Sequence, residues 1–393
     1  MPSDPTANIA VTDVNDSATE REPNRSVANL ELSIILPTYN EADNVGELLR
    51  RIARVVTERS VRCEVLVMDD GSPDGTADAA RQVDLPIPVR VVERTGRRGL
   101  SPAVIDGIAL ARGTYVLVMD ADLQHPPESL TDLLQAMRDG AEFAIGSRYT
   151  AGGTSGEFGL YRRLNSRIAT LLAAPLVKSR VRDPMAGFFC FRRDLADRQN
   201  LNPVGYKIGL EILVKCRPGR VVEVPIDFGP RQAGDSKMNL SQQFDYLRHL
   251  RRLYGWRWPQ ASQLILFCAV GGCGMVVDLT LMTLLVGAGL AFPLGRVLAI
   301  AAAMVFNFFL NRWITFPEAA GARCRPQLLR FIGVCSIGLC INWIVSNTLY
   351  LLLPSLRGLY QLYCVGGIVV ATASNFLLSK YVAFRVPDDG TSR

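Results

Sequence analysis

The last third of this 393-residue chain holds four long apolar stretches, at about residues 262–286, 292–310, 329–353 and 359–379. At 1.5 Å of rise per helical residue, each is long enough to cross a hydrocarbon layer of about 30 Å. Lipid offers no partner to a backbone N–H or C=O, so such stretches are restricted to helices that bond internally. Charge orients them. Arg312, Arg323, Arg325 and Arg330 lie between the second and third stretches, and Arg248, Arg251, Arg252 and Arg257 precede the first. The remaining two connections carry only Arg296 and Arg357. The preference of Lys and Arg for the cytoplasmic side therefore predicts a multi-pass protein with both termini, and the part ahead of the spans, in the cytoplasm.

The apolar region also repeats itself. QLILF at 263–267 returns as QLLRF at 327–331, and NFFLNRWITF at 307–316 returns as NFLLSKYVAF at 375–384. A two-helix unit duplicated in one orientation is expected. Asp278 falls near the middle of the first span, where a charge is costly and marks function unless it sits closer to an interface. Ahead of the spans, residues 239–260 place Phe244, Leu247, Leu250 and Tyr254 at helical spacing, with arginines between them and two tryptophans at the end. That pattern predicts an interfacial juxtamembrane helix against the bilayer.

Residues 1–29 are rich in Ser, Asn, Asp, Thr and Pro and poor in large apolar side chains, which predicts a disordered tail; 386–393 form a short C-terminal tail. No basic stretch followed by a short apolar run resembles a signal or import sequence. Five of the nine cysteines fall in apolar stretches, and with only His125 and His249 in the chain a zinc site is not expected. The net charge of +6 comes from basic residues beside apolar segments, which suits an anionic membrane surface rather than nucleic acid.

Residues 30–238 alternate β-branched runs with helical stretches, the pattern of an α/β domain with a mostly parallel sheet. LSIILPTYN, CEVLVMDDGS, VRVVER, GTYVLVMDAD and EFAIGSRY are the strand candidates, with helices over 44–57, 76–83, 101–111 and 127–139. Ligands of such sheets gather beyond the carboxyl ends of the strands, and here those ends are polar. Pro37-Thr38-Tyr39-Asn40-Glu41 offers an aromatic face and a carboxylate, although Asn-Glu before a helix also reads as a cap. Asp69-Asp70-Gly71-Ser72 puts paired acids on a Gly/Pro-rich turn that can accept bonds from a base or ribose. Asp120-Ala121-Asp122-Leu123-Gln124 follows an apolar run with two carboxylates at i and i+2 and an amide oxygen, a set suited to a hard divalent cation that also binds diphosphate. Arg148, Arg162, Arg163, Arg231 and Lys237 supply cations in Gly-rich loops that match phosphate oxygens.

ILPTYNE, VMDDGSPDGT, MDADLQHPP, GSRY, DPMAGFF, GYKIGLEI and the Arg…Gly-x-Ser-Lys-Met ending together resemble the dolichol- or polyprenol-phosphate mannose synthases, which are family 2 inverting glycosyltransferases with a GT-A fold. The likeness covers about 31–240, and the four-helix region 261–385 is similar to the GtrA-like membrane domains fused to such enzymes. The resemblance implies transfer of mannose with inversion from GDP-mannose to polyprenyl or dolichyl phosphate. It implies that Pro37, Tyr39, Glu41, Met68, Asp70, Asp120, Ala121 and Lys207 bind the nucleotide-sugar, with Arg231 and Lys237 closing over its diphosphate. Asp120, Asp122 and Gln124 would hold Mg2+ or Mn2+. Arg148, Arg162 and Ser166 would seat the lipid phosphate, and Asp120, Asp122 and Arg148 form the catalytic set. RTGRRGLSPAV at 94–104 departs from the Gly-Leu-Gly-Thr run of many relatives, which leaves the helix packing there open. UDP-glucose is the alternative donor. A processive polysaccharide synthase would show Gln-x-x-Arg-Trp, but Tyr254 stands where the Gln should be. A translocator of lipid-linked sugars with a binding-only soluble domain is the alternative from another class.

Overall fold

The structure, a computed structural model, describes residues 9–13, 30–96, 98–150, 154–155, 160–177, 181–196, 201–229, 240–353 and 361–385. Contacts divide the chain into two units, Met1–Arg257 and Trp258–Arg393.

In the first unit the elements run β1 (Ile9–Asp13), β2 (Leu32–Thr38), α1 (Ala42–Glu58), β3 (Cys63–Asp69), α2 (Thr76–Arg81), β4 (Val89–Arg94), α3 (Leu100–Leu110) and β5 (Tyr115–Val118). After a 3₁₀ turn at Pro127–Ser129 follow α4 (Leu130–Arg138), β6 (Phe143–Ser147), β7 (Thr154–Ser155), α5 (Leu160–Ala173), β8 (Phe189–Arg192) and α6 (Arg193–Ala196). The unit closes with α7 (Ile208–Cys216), β9 (Val221–Pro225), β10 (Asp227–Phe228) and α8 (Leu240–Arg257).

Eight strands form one sheet in the order β1-β4-β3-β2-β5-β8-β6-β9. It is parallel except for β1 at one edge and β8, which runs antiparallel between β5 and β6. The inner strands read as nearly unbroken apolar runs because both faces are covered. Period two sorts their side chains: Ile34, Leu36, Val65, Val67 and Leu117 pack with α1, α2 and α4. Ile35, Leu66, Met68, Val116 and Val118 pack with α3 and α7 on the other face. Helix α1 turns Val45, Leu48, Leu49, Ile52 and Val56 inward at i, i+3, i+4, i+7 and i+11, the stripe of an amphipathic helix.

One expectation for the N-terminal tail is not met. Ile9–Asp13, inside the expected disordered tail, pairs antiparallel with β4, from Ile9 with Arg94 to Asp13 with Arg90. IAVT is a short β-branched run within a polar stretch, and an open sheet edge gives it backbone partners that composition alone does not show. The rest of 1–29, and 386–393, lie outside the described residues. The departure at 94–104 leaves the helix intact: α3 starts after Gly99, whose φ of +126° favours glycine.

In the second unit the helices are α9 (Pro259–Gly287), α10 (Phe292–Leu310), α11 (Cys324–Leu352) and α12 (Gln361–Leu378). Pro259–Gly287, Val297–Thr315 and Cys324–Val345 are long and apolar enough to cross a bilayer, and α12 lies where the fourth span is expected. The duplication seen in the sequence is present in the packing. A side chain on Gly274 would collide with the Asn307 amide, and one on Gly338 with that of Asn375. Helices α10 and α12 each continue into a π-helical turn, Asn311–Thr315 and Ser379–Ala383. Beyond those turns Phe316 stacks on Phe384 at 4.9 Å between ring centroids.

Close backbone approach makes one glycine testable. A Cβ on Gly113 would stand 2.6 Å from Leu32 C and Ser33 N, backbone that cannot swing aside as a side chain can. Gly113→Ala should destabilise the first unit by about 2 kcal/mol, measured by urea denaturation followed by circular dichroism.

Candidate functional site

Strands β2, β3, β5 and β6 all end at one edge of the sheet, above a cavity of about 1070 Å³. Of the residues expected from sequence, Pro37, Tyr39, Glu41, Asp70, Asp120, Ala121, Asp122, Gln124, Arg148, Ser166 and Lys207 line it. Met68 does not: it is fully buried in the sheet core. Its side chain lies within the strand, whereas Asp70 follows the end of β3 and reaches the cavity. Arg231 and Lys237 lie outside the described residues, as do the side chains of Arg162 and Arg163.

Two non-glycine residues at these strand ends are left-handed, Asn40 with φ +58° and Leu123 with φ +60°. For leucine this conformation is strained, and such strain collects where a backbone is bent to aim its neighbours. Asn40 separates Tyr39 from Glu41, and Leu123 separates Asp122 from Gln124. Glu41 stands at the start of α1 without capping it by its side chain; its Oε2 accepts a bond from Asn44 Nδ2 at 2.8 Å. Glu41 thus occupies the N-cap position that the cap reading expects, without supplying a side-chain cap bond.

The paired acids of β3 divide their work. Asp69 is internal, accepting from Thr38 Oγ1, Ser72 N–H and Ser72 Oγ. Asp70 faces the cavity while paired with Arg94 and accepting from Gly99 N–H at 2.6 Å. It meets a ligand as a carboxylate already held in place.

Asp120, Asp122 and Gln124 supply oxygen donors of the type a divalent cation takes. Gln124 Nε2 donates to Gly229 O at 3.3 Å, which fixes the amide with its oxygen as the remaining ligating atom. Asp122 Oδ1 accepts from Gln124 N–H at 3.2 Å. Gly187 keeps a niche beside Asp120, where a Cβ would stand 2.7 Å from Oδ2. Among the described residues no three His, Cys, Asp or Glu side chains form a metal-binding group, so any cation here relies on the amide and on ligand oxygens to complete its shell. The donor set fits Mg2+ or Mn2+.

His125 supports this turn from below. Its Nδ1 accepts from Asp120 N–H at 3.3 Å, and its ring stacks on Phe188 with Phe228 at its edge, both at 5.3 Å. Burial pushes the imidazole below its ordinary pKa despite the nearby Asp120 and Asp122. It is therefore neutral at neutral pH, with the proton on Nε2.

Arg148 lines the cavity with its guanidinium already paired. Its Nε and Nη2 form a bidentate pair with Asp183 at 2.8 and 3.0 Å, and Asp183 N–H is itself held by Glu223 Oε1 at 3.0 Å. The guanidinium is thus oriented in advance between the rings of Tyr149 and Phe228. Tyr149 OH lies 2.9 Å from Ser166 Oγ on α5. Lys207 donates to Met185 O at 3.0 Å, and burial, with Arg148 nearby, lowers its pKa to about 8.

Apolar lining comes from Ile168, Ala169 and Leu172 of α5, the helix of the expected Ser166, and from Tyr246 and Leu247 of α8, a helix the sequence did not connect to the cavity. Tyr246 OH donates to Ala169 O and Tyr254 OH to Leu172 O, which joins the two helices. Asp183, His125 and Gly187 are the residues sequence reasoning passed over. All three lie inside motifs that carried the resemblance, DPMAGFF and MDADLQHPP, and that was the available signal.

An α/β domain that gathers an Asp-x-Asp turn, an oriented arginine and an apolar wall in one cavity, joined to apolar helices long enough to cross a membrane, has the parts of a membrane-associated glycosyltransferase. Residues 33–199 match the family model described as Glycosyl transferase family 2, and residues 266–384 match GtrA/DPMS, transmembrane domain. A dolichol-phosphate mannosyltransferase of Pyrococcus furiosus is 36% identical over 358 residues, covering 90% of this chain and 99% of that protein. The dolichol-phosphate mannosyltransferase of Saccharomyces cerevisiae is 38% identical over 61% of this chain and 92% of its own. The polyprenol monophosphomannose synthase of Mycolicibacterium smegmatis is 37% identical over 57% and 84%. The chain belongs to the dolichol-phosphate mannosyltransferase family within the family 2 glycosyltransferases.

Breaking the Arg148–Asp183 pair by Asp183→Ala leaves a mostly buried cation uncompensated and should cost about 3 kcal/mol in urea denaturation. The double variant Arg148→Met/Asp183→Leu should recover part of that loss while remaining inactive.

Proposed function

We propose that this protein transfers a mannosyl residue from GDP-mannose to polyprenyl or dolichyl phosphate, giving polyprenyl-phosphate mannose with inverted anomeric configuration. The observation that carries this reading is the cavity's mixed chemistry. Asp120, Asp122, Gln124 and Lys207 share its lining with apolar side chains of α5 and α8. Such a cavity suits a charged sugar donor meeting an acceptor that is phosphate at its head and hydrocarbon behind.

The acceptor phosphate is already anionic, so attack requires no strong base and depends on positioning. A phosphate oxygen attacks the anomeric carbon as the bond from that carbon to the nucleoside diphosphate breaks. Tyr39, Glu41 and the held Asp70 take the nucleoside. Arg148, with Arg162 and Ser166, seats the acceptor phosphate, and Asp183 keeps the guanidinium from swinging toward the donor. Lys207, Arg231 and Lys237 offset the charge that gathers on the departing diphosphate. Mg2+ or Mn2+, held by Asp120, Asp122 and Gln124, would supply further charge neutralisation when bound. Exposed Phe244, Leu247 and Trp256 on α8 suit a helix lying at a bilayer surface. The arginine distribution supports a cytoplasmic catalytic unit and cytoplasmic termini.

Membranes carrying the protein are expected to move radiolabelled sugar from GDP-mannose, and not from UDP-glucose, into organic-extractable lipid, with loss of product on chelation. Product from UDP-glucose alone would change the sugar and keep the mechanism; no lipid product from either donor would favour a translocator. Asp122→Ala should lower kcat/KM by about 10²–10³ in the same assay.

Lys207 sets a pH dependence. Its pKa in the folded protein lies below the ordinary lysine value, so its charge is present at neutral pH and lost as pH rises through about 8. The KM for GDP-mannose should rise across that range, and Lys207→Arg, charged throughout, should flatten the rise.

A further inference from the structure

A buried charged cluster behind the cavity takes no part in the transfer as derived above. Glu211 on α7 and His249 on α8 are each 1% exposed, and Lys215 pairs with Glu211 Oε1 at 2.6 Å. From two different helices, these side chains hold one connecting loop. Asn202 N–H donates to Glu211 Oε1 at 2.7 Å, and Val204 N–H donates to His249 Nδ1 at 3.2 Å. The two clamping groups are neighbours, with His249 Nδ1 3.8 Å from Glu211 Oε2.

The clamped loop leads directly into the site. It passes through Gly205, left-handed at φ +74°, to Tyr206 and Lys207, both in the cavity lining. Lys207 then begins α7, and its carbonyl accepts the N–H of Glu211 one turn later. Helix α8, one turn before His249, brings Tyr246 and Leu247 into the lining of the same cavity. A single imidazole therefore ties the Lys207 loop to the helix that forms the apolar wall. Burial keeps His249 below its ordinary pKa, so at neutral pH Nδ1 remains an acceptor.

This cluster is also not fully satisfied. Glu211 Oε2 and His249 Nε2 are buried without a hydrogen-bond partner. Buried polar atoms in purely structural positions are nearly always bonded, and exceptions call for a reason beyond packing. We propose that Glu211 and His249 are positioning residues for the transfer, fixing the 202–206 loop so that Lys207 stands against the donor diphosphate. The proposal rests on the mannosyl-transfer reading above.

The test combines kinetics with a readout independent of activity. His249→Leu should raise the KM for GDP-mannose about tenfold, as expected when a charge-assisted contact is lost, while kcat and the acceptor KM stay within about twofold. His249→Asn, whose Oδ1 can take the place of Nδ1, should restore it. Lys207→Met should raise the same KM, and the double variant Lys207→Met/His249→Leu should be no worse than Lys207→Met alone, since the clamp acts through that lysine. Amide hydrogen exchange across 202–206 should quicken in His249→Leu and not in His249→Asn. Additive losses in the double variant, equal losses in kcat and both KM values, or unchanged exchange would overturn the proposal. If His249→Leu does not fold, Glu211→Gln should give a smaller donor-side shift of the same kind, and no shift would overturn it. Should the unmodified protein transfer no mannose, the mannosyl-transfer reading fails, and the exchange result alone decides whether the clamp holds the loop.

Discussion

The site depends on one short antiparallel strand. β8 sits between β5 and β6, and a single residue, Phe189, registers against both Val118 and Ile145. Asp120 follows Val118 by two residues and Arg148 follows Ile145 by three, so that shared contact sets the spacing between the acidic turn and the arginine. Because β8 runs opposite to its neighbours, the chain enters it from the ligand edge of the sheet. That direction brings Asp183, Met185 and Gly187 to the site immediately before the strand begins. In a fully parallel arrangement those residues would arrive at the far edge, and Arg148 would lose its carboxylate partner.

A common logic follows for the charged groups. Arg94 holds Asp70, Asp183 holds Arg148, and Met185 O holds Lys207. Each of these three charges is aimed before a ligand arrives, so little of their side-chain freedom remains to be lost on binding. His125 does the same for the backbone of Asp120.

Much of this was legible in the sequence. The strands β2 to β6 and the helices α1 to α4 follow their apolar periodicity because local pattern and tertiary burial agree there. β8 and β9 were missed: FCFR and VVEVP are short and carry no alternation, and only the sheet makes them strands. The strand at Ile9–Asp13 was hidden by the polarity of its flanks. At the site, residue type and spacing pointed to the ligating groups, but not to what aims them. Met68 was misplaced for a related reason, since a residue inside a binding motif can still face the core. The Asp183–Arg148 pair spans 35 positions and the His249–Val204 bond spans 45, and no local pattern records contacts of that range.

The duplicated membrane unit has a consequence for how the two halves can change. Asn307 packs on Gly274 and Asn375 on Gly338, and Phe316 stacks on its counterpart Phe384 across the seam. This is the geometry of an isologous dimer carried on one polypeptide. In a true dimer every substitution is imposed at both symmetry-related positions, so a charge tolerable once in the membrane would have to be tolerated twice. A tandem chain is free of that coupling. Four residues beyond the two glycines the halves differ, with an ionisable Asp278 in one and a neutral Asn342 in the other, an asymmetry that an assembly of two identical halves could not carry.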